Sequence, residues 1–197
     1  MGSRKLKAFA TAAAIGAFCL AAGSARADDQ PYGQLTPFRP LEEVRGGVYV
    51  DDSVGREARA PMATIQLLSS PLALLPSDNP WIAPLFAPRL EAGAMINGLG
   101  LTSYAFAGLN WREPIWGPLF LEVGFGGAIN DSSRNPENHR QTDLGCPVTF
   151  RESGGLGWRF SEQFDVVAGI EHISHANLCS SLNPGLTSVG MRFGYHF

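Results

Sequence analysis

The stretch FDVVAGIEHISHANLCSSLNPGLTSVGMRFGYHF, residues 164–197, decides the fold of this chain. Side chains two residues apart on a β-strand point to the same face of the sheet. In the first half of the stretch the even positions are apolar and lead into His172 and Ser174. The odd positions include Asp165 and Glu171. This half therefore predicts a strand with one apolar and one polar face, and it places a histidine and a serine on the apolar side.

The end of the chain alternates in the same way. One face of residues 188–197 is apolar and carries Val189, Met191, Phe193, Tyr195 and Phe197. The other face carries Ser188, Gly190, Arg192, Gly194 and His196. A chain that stops on an aromatic residue at the end of an alternating strand is typical of bacterial outer-membrane barrels, whose strands alternate between a lipid-facing and an interior side.

The N-terminus has the pattern of an export signal. Three basic residues among the first seven precede an apolar stretch at 8–22, and Ala-Arg-Ala follows at 25–27. That stretch is too short and too rich in alanine for a membrane span. We expect a signal peptide at residues 1–27, a polar, proline-bearing periplasmic arm at 28–42, and a transmembrane β-barrel at 43–197.

Composition and cysteine usage narrow the classes further. Removal of the signal peptide takes away Cys19 and leaves Cys146 and Cys179, an even pair in a compartment where disulfides persist, so we expect them to be bonded to each other. A formal net charge of -3 without a basic run disfavours nucleic acid as a partner. The high glycine content, 23 residues, disfavours a helical bundle.

Upstream of the opening stretch, six further segments alternate as strands do. They are residues 44–50, 62–69, 89–98, 103–111, 119–129 and 146–160. In 103–111 either face could be the outward one. The proline-rich segment 70–88 is compatible with an extended turn or a short helix. With the final two strands, the pattern predicts an all-β fold, an eight-stranded antiparallel transmembrane β-barrel.

The polar faces of these strands separate a membrane barrel from a soluble one. Eight charged side chains fall on faces opposite to the apolar ones: Arg45, Arg89, Glu91, Glu122, Arg151, Arg159, Glu171 and Arg192. Such charges are unfavourable in a dry core but can pair inside a narrow lumen. A soluble β-sandwich or lipocalin-like barrel, the alternative, would have its apolar residues inside.

An even number of strands places both barrel termini on the periplasmic side. The segments 112–118 and 161–164 are then short periplasmic turns. The polar segments 51–60, 130–145 and 175–186 are then extracellular loops.

The residues around Ser174 form a candidate catalytic group. A serine hydroxyl is a weak nucleophile until a base accepts its proton, and that base needs an orienting group. His172 is the candidate base. Glu171 points to the lumen, whereas Glu152 is a polar residue on the apolar face of segment 146–160. Folding the two strands about the turn at 161–164 brings Glu152 opposite His172 or Ser174, so we expect a Ser-His-Glu arrangement on the lipid-facing surface.

These residues resemble a known family. The run Glu171-His172-Ile173-Ser174, the turn Asn183-Pro184-Gly185 and the strand ending in Phe197 are similar to the C-terminal hairpin of the outer-membrane lipid A 3-O-deacylases. The resemblance implies an eight-stranded outer-membrane barrel that binds lipopolysaccharide of the outer leaflet and removes the ester-linked 3-hydroxyacyl chain at position 3 of lipid A. It also implies that Ser174 is the nucleophile and His172 the base.

Two positions depart from the family pattern. His175 stands where the family commonly has asparagine, and Thr187 stands where it has a glutamate. Either Glu152 supplies the acid, or the site is a dyad, or activity is lost. For the oxyanion donor the candidates are Asn183, which matches the family's turn, and Asn177 in the preceding loop.

Other functions stay open at this point. One alternative is an inactive barrel with a structural or partner-binding role, and another is an esterase acting on glycerophospholipids. A homodimer is compatible with the sequence, which does not fix the oligomeric state. We expect no metal or other cofactor, because His175 and His196 form no ligand cluster with His172 and no carboxylate-rich triplet accompanies them.

Overall fold

The structure is a computed structural model that describes residues 37–51, 57, 59–72, 74, 79, 83–132, 140–179 and 183–197. The predicted signal peptide and the predicted arm up to residue 36 lie outside this part. The elements in chain order are β1 (Glu43–Asp51), β2 (Pro61–Pro71), a short 3-10 helix (Ala83–Phe86), β3 (Arg89–Asn97), β4 (Tyr104–Trp116), β5 (Leu119–Asn130), β6 (Val148–Arg159), β7 (Phe164–Ser174) and β8 (Leu186–His196). In the described part, no helix is long and apolar enough to cross a membrane.

The eight strands form one closed antiparallel barrel in which every strand pairs with its neighbours along the chain. Closure comes from β1 and β8, which pair from Glu43↔His196 to Asp51↔Ser188. Closure gives every strand a hydrogen-bonded neighbour on both sides over most of its length, so the backbone donors and acceptors of the wall are largely paired. This confirms the predicted fold class.

The alternation of apolar and polar residues in the sequence matches the alternation of outward-facing and inward-facing residues in the barrel. On β1, Val48 is 70% exposed on the outside, whereas Arg45 and Tyr49 are buried inside. The apolar residues of β8 from Val189 onward also face outward, and Arg192 faces inward with 2% exposure. The outer surface is therefore mainly apolar and most of the charged side chains of the strands lie in the lumen, which is opposite to the arrangement of a soluble barrel.

Ion pairs fill the lumen. Arg45 makes a bidentate contact with Glu122, at 2.6 and 2.7 Å. Arg151 contacts both carboxylate oxygens of Glu171, at 2.6 and 2.8 Å, and also pairs with Glu91. Because each of these five charges meets an opposite charge with hydrogen-bond geometry, their desolvation is offset within the barrel.

At one end of the barrel, here called the loop end, the chain leaves β1, β3, β5 and β7, and described residues of three of these connections contact one another. The carboxylate of Glu57 is fully buried and accepts hydrogen bonds from Thr102 N, Thr102 Oγ1 and Thr142 N, at 3.0, 2.6 and 2.7 Å. Three of the loops are thereby joined. Beneath them lies an apolar layer of Met62, Met95, Tyr104, Leu144, Ile173 and Leu186.

The β4–β5 hairpin differs from the sequence prediction. We expected strand four to end at residue 111 and a turn at 112–118, but β4 continues to Trp116, and its pairing with β5 runs on from Arg112↔Glu122 to Trp116↔Leu119. Pro114 is tolerated because β3 pairs only as far as Asn110, so this part of β4 has a free edge on that side. The turn therefore shrinks to Gly117 and Pro118.

The structure also shows which face of β4 points outward. Tyr104 and Phe106 are buried, and Ala105 and Ala107 are exposed. The Phe106 ring lies under the Arg151 guanidinium, 3.8 Å from its centroid. The larger side chains of this strand thus face inward, where Phe106 meets a charged group of the lumen. The described part of segment 70–88 contains the short 3-10 helix, one of its two expected forms.

Candidate active site

His172 and Ser174 lie on the outer wall at the loop end of β7. Both are half-buried, and they share their face with the apolar residues of the strand, such as Ile170, which is 48% exposed. Their neighbours Glu171 and Ile173 point inward and are buried. The strand period thus carries the polar pair outside the barrel, as the sequence predicts.

Thr187 of β8 holds the His172 ring from one side. His172 and Thr187 are directly opposite in the β7–β8 register, and His172 Nδ1 lies 2.8 Å from Thr187 Oγ1. Gly185 closes in on the other edge of the ring. A Cβ at this position would lie 2.7 Å from His172 Cε1 and 3.2 Å from Nε2, and Gly185 has a left-handed φ of +68°. Only glycine combines that backbone conformation with that space.

Glu152 faces the same histidine from β6. Its Cα is opposite that of His172 in the β6–β7 register, so the sequence prediction that the turn brings them together is correct in placement. The Glu152 carboxylate interacts electrostatically with the imidazole. Within the described residues, no hydrogen bond joins Glu152 to His172 or Ser174. Glu152 and His172 are therefore facing residues on neighbouring strands that are not hydrogen-bonded to each other.

An aromatic surface adjoins the polar group. Phe150 is the cross-strand partner of Ser174, and its ring stacks on that of Phe125 with centroids 6.2 Å apart and an interplanar angle of 17°. These rings are 40% and 50% exposed on the outer wall. An extended hydrocarbon chain could lie along them with its polar end at Ser174.

The segment after Ser174 turns sharply. The N–H of Leu178 donates to the carbonyl of His175 at 2.9 Å, and the two residues between have left-handed φ angles, +51° at Ala176 and +63° at Asn177. This is the pattern of a type I′ turn. A left-handed alanine costs roughly 1–2 kcal/mol, whereas asparagine adopts that region more readily. The left-handed backbone of this turn therefore accounts for an asparagine at the exposed position 177.

Asn183 contacts the residue that follows the end of β7. Its side-chain Oδ1 accepts the backbone N–H of His175, the residue after Ser174, at 3.2 Å. Because the oxygen of the amide is used in this way, its NH2 group is the donor available to a ligand. The two predicted oxyanion residues therefore differ in placement, since Asn183 is bonded next to Ser174 and Asn177 lies on an exposed turn.

Cys146 and Cys179 form a disulfide with a Cα–Cα distance of 5.9 Å, as the sequence predicts. The bond spans 33 residues and joins the β5–β6 loop to the loop after Ser174. It therefore connects the candidate site to the neighbouring part of the loop end.

Among the described residues, one group of side chains could hold a metal ion: Glu43, Asp165 and His196. It lies at the end of the lumen opposite the loop end. His196 Nε2 lies 2.8 Å from Asp165 Oδ2. Arg45 contacts Glu43 at 2.5 Å, and Arg112 contacts Asp165 at 3.2 Å. Since guanidinium groups already occupy positions around these carboxylates, the group is suited to ion pairing in the lumen. His172 is not part of it.

Three features of the site escaped sequence reasoning. The sequence marks Thr187 only as a departure from the acid of the family pattern, whereas in the structure it is the hydrogen-bond partner of His172. His175 is 2% exposed, and its burial has no signature in the alternation because it lies after the strand. Gly185 contacts the imidazole, and its position in the Asn-Pro-Gly turn was the one available signal.

The closed eight-stranded wall, its apolar outer surface and its charged lumen define an outer-membrane β-barrel, here with a polar group on the outward face. The family model described as lipid A 3-O-deacylase (PagL) matches residues 86–196, and the chain belongs to this family of lipid A deacylases. A comparison with curated proteins finds no match.

Solved structures show the same fold. The crystal structure of the outer membrane enzyme PagL superposes with a TM-score of 0.59 at 18% identity, over 79% of this chain and 99% of that chain. The N-terminal β-barrel domain of Pseudomonas aeruginosa OprF gives 0.52 at 13% identity, over 81% and 99%. Neisserial surface protein A gives 0.51 at 8% identity, over 82% and 100%. The chain is an outer-membrane barrel.

Proposed function

We propose that this protein is a serine esterase that removes the ester-linked 3-hydroxyacyl chain at position 3 of lipid A. The observation that carries the proposal is the His172–Ser174 pair on the outer wall, with the Nδ1 atom of His172 held by Thr187 at 2.8 Å. Long loops of outer-membrane barrels are extracellular. The pair at the loop end would then lie in the outer leaflet, where lipid A is found.

Ser174 Oγ attacks the ester carbonyl carbon while His172 Nε2 accepts the hydroxyl proton. Collapse of the tetrahedral intermediate breaks the ester bond, and the proton passes from His172 to the departing sugar oxygen. The acyl group stays on Ser174 until water, deprotonated by the same histidine, releases it as a 3-hydroxy fatty acid. The lipid A product keeps a free hydroxyl at position 3.

In this scheme Thr187 and Glu152 together replace the acid of a Ser-His-acid triad. When Nε2 is the base, Nδ1 carries a hydrogen and donates it to Thr187 Oγ1, which fixes the tautomer and the ring orientation. Glu152 supplies the negative charge that stabilises the imidazolium from across the β6–β7 pair. Thr187 thus accepts the Nδ1 hydrogen and Glu152 supplies the negative charge, two roles that a single acid has in a Ser-His-acid triad.

Asn183 is the proposed oxyanion donor. Its NH2 group is available, and its oxygen is bonded to the peptide that follows Ser174. Asn177 is the second candidate. The Asn177→Gly variant keeps the left-handed turn while removing the side chain, so it separates the two assignments from each other.

Mass spectrometry of lipid A from cells that express the protein or its Ser174→Ala form tests the proposal. We expect loss of one 3-hydroxyacyl chain only with the intact serine. Unchanged lipid A in both strains would favour the inactive barrel, a reading that the uncharged Thr187 motivates. Fatty acid release from glycerophospholipid with unchanged lipid A would instead move the substrate to that class.

Removal of the Thr187 hydroxyl should impair the histidine. Thr187→Val keeps the size and β-branching of the side chain but removes the acceptor of the Nδ1 hydrogen. We expect kcat for lipid A in detergent micelles to fall by about 10²-fold, because the tautomer and orientation of His172 are then no longer held. Thr187→Glu, the comparison, again supplies an acceptor oxygen on this side chain and should retain more activity than Thr187→Val. Equal activity of Thr187→Val and the parent protein would contradict this role.

Neutralising Glu152 tests its charge. Glu152→Gln keeps the shape of the side chain, and we expect about a tenfold lower kcat because a charge acting at longer range contributes less than a hydrogen-bonded one. Ester hydrolysis by the purified variant is the measurement. Near-normal activity would remove Glu152 from the mechanism and leave a Ser-His dyad assisted by Thr187.

A further inference from the structure

We infer that the Cys146–Cys179 disulfide and the buried His175 side chain are positioning groups that hold Asn183 beside Ser174. The inference rests on the proposed function, because it concerns the donor to the oxyanion. It assigns a catalytic consequence to a covalent bond in the loops and to the histidine that replaces the family's usual asparagine. Neither group touches the reacting atoms in this account.

The chain of contacts begins at a fixed point on the barrel. Asn130, the last residue of β5, donates from its side-chain Nδ2 to the carbonyl of Cys146 at 3.1 Å and from its backbone N–H to Pro147 at 2.9 Å. Cys146 is itself 9% exposed. The disulfide therefore attaches Cys179 to the wall of the barrel at the end of a long strand pair.

From Cys179 the contacts continue to the site. The backbone N–H of Cys179 donates to His175 Nδ1 at 3.4 Å, and His175 is 2% exposed. The backbone N–H of His175 in turn donates to Asn183 Oδ1 at 3.2 Å. His175 thus contacts Cys179 through its ring and Asn183 through its backbone.

The turn between these residues needs such support. Ala176 has a φ of +51°, a left-handed conformation that L-residues with a Cβ disfavour. Strained backbone persists where its surroundings over-determine it. The disulfide one residue beyond Leu178 and the ring of His175 at the start of the turn are the restraints that the structure shows at its two ends.

The position of Asn183 matters because donors to an oxyanion act through fixed geometry. A displacement of about 1 Å in a catalytic group can lower the rate by about 10²-fold. Asn183 is followed two residues later by Gly185, where a Cβ would lie 2.7 Å from Cε1 of the His172 ring. The residues from Asn183 to Gly185 therefore affect the positions of both the Asn183 amide and the His172 ring.

Kinetics of full-length protein in detergent micelles with lipid A test the inference. Cys146→Ser/Cys179→Ser removes the bond, His175→Leu removes the ring acceptor, and His175→Asn keeps an acceptor oxygen close to the place of Nδ1. We expect kcat to fall on the order of tenfold to a hundredfold for the first two variants, with KM changed by less than about threefold, and to be largely retained by His175→Asn.

A double-mutant cycle with Asn183→Ala identifies the path of the effect. Asn183→Ala alone should lower kcat by about 10²–10³-fold. If the disulfide acts through Asn183, its removal in the Asn183→Ala background lowers kcat no further. An undiminished kcat for the disulfide-free variant, or the same fold loss in both backgrounds, would overturn the inference.

Two further measurements keep the outcomes distinct. Far-ultraviolet circular dichroism checks that each variant keeps its β-barrel, and if the disulfide-free form does not fold, the His175→Leu and His175→Asn pair decides the question alone. Ser174→Ala is assayed alongside. Activity that survives in Ser174→Ala would remove the proposed function and this inference together, whereas an inactive Ser174→Ala with a fully active disulfide-free form would remove only the inference.

Discussion

Replacing His172 with alanine is expected to lower kcat for lipid A by at least about 10⁴-fold, as much as Ser174→Ala does. The two side chains act as one unit, because the hydroxyl is a poor nucleophile until the imidazole accepts its proton. The double variant should therefore be no slower than either single variant. Release of 3-hydroxy fatty acid from lipid A in micelles, followed by mass spectrometry, gives the rates.

Ser188→Ala is the matched control for this prediction. Ser188 lies on β8 beside Thr187 and opposite Glu171, but it is 1% exposed and its hydroxyl points into the barrel, 3.4 Å from Met62 Sδ. We expect near-parental activity from it. A His172→Ala variant that retains more than about a tenth of the parental kcat would contradict the role of the histidine as base.

Replacing Arg151 with methionine should lower the free energy of unfolding by about 3–5 kcal/mol, the largest stability effect that we expect. Arg151 is 1% exposed and lies between the carboxylates of Glu91 and Glu171. Methionine keeps much of the volume but leaves the buried Glu91 carboxylate without its cation and Glu171 with Arg192 alone, at 2.6 Å. Urea unfolding in micelles, extrapolated linearly to zero denaturant, measures the difference.

Arg159→Met is the comparison for this effect. Arg159, the last residue of β6, is only half-buried, and the described residues offer its side chain no ion pair. Its replacement should change the free energy of unfolding by no more than about 0.5 kcal/mol. Equal effects of the two substitutions would show that the lumen network does not hold the barrel together.

The architecture could be predicted because one face of each strand meets lipid and the other meets the lumen. That constraint writes a two-residue period into the sequence, and it correctly assigned Val48 and Arg45 to opposite sides. The two-residue period does not predict features that depend on residues of other strands. The length of β4 depends on pairing with β5, and the inward-facing Phe106 contacts Arg151 of β6, and neither is visible in the local pattern.

The same division runs through the candidate site. The outward placement of His172 and Ser174, and the position of Glu152 opposite His172, follow from strand period and from the turn at 161–164. The hydrogen bond from His172 to Thr187 does not, because it depends on the β7–β8 register across a long loop and on a side-chain rotamer. A hydroxyl, which carries no charge pattern in the sequence, occupies the place where a triad would have a carboxylate.

Covalent trapping on the intact barrel tests the central claim most directly. An alkyl fluorophosphonate reacts with a serine that is activated by a base, and peptide mass spectrometry then identifies the modified residue. The account predicts that the label is found on Ser174 in the parental protein and is lost in His172→Ala. A label on any other serine, or an unmodified Ser174 in the folded parental protein, would contradict it.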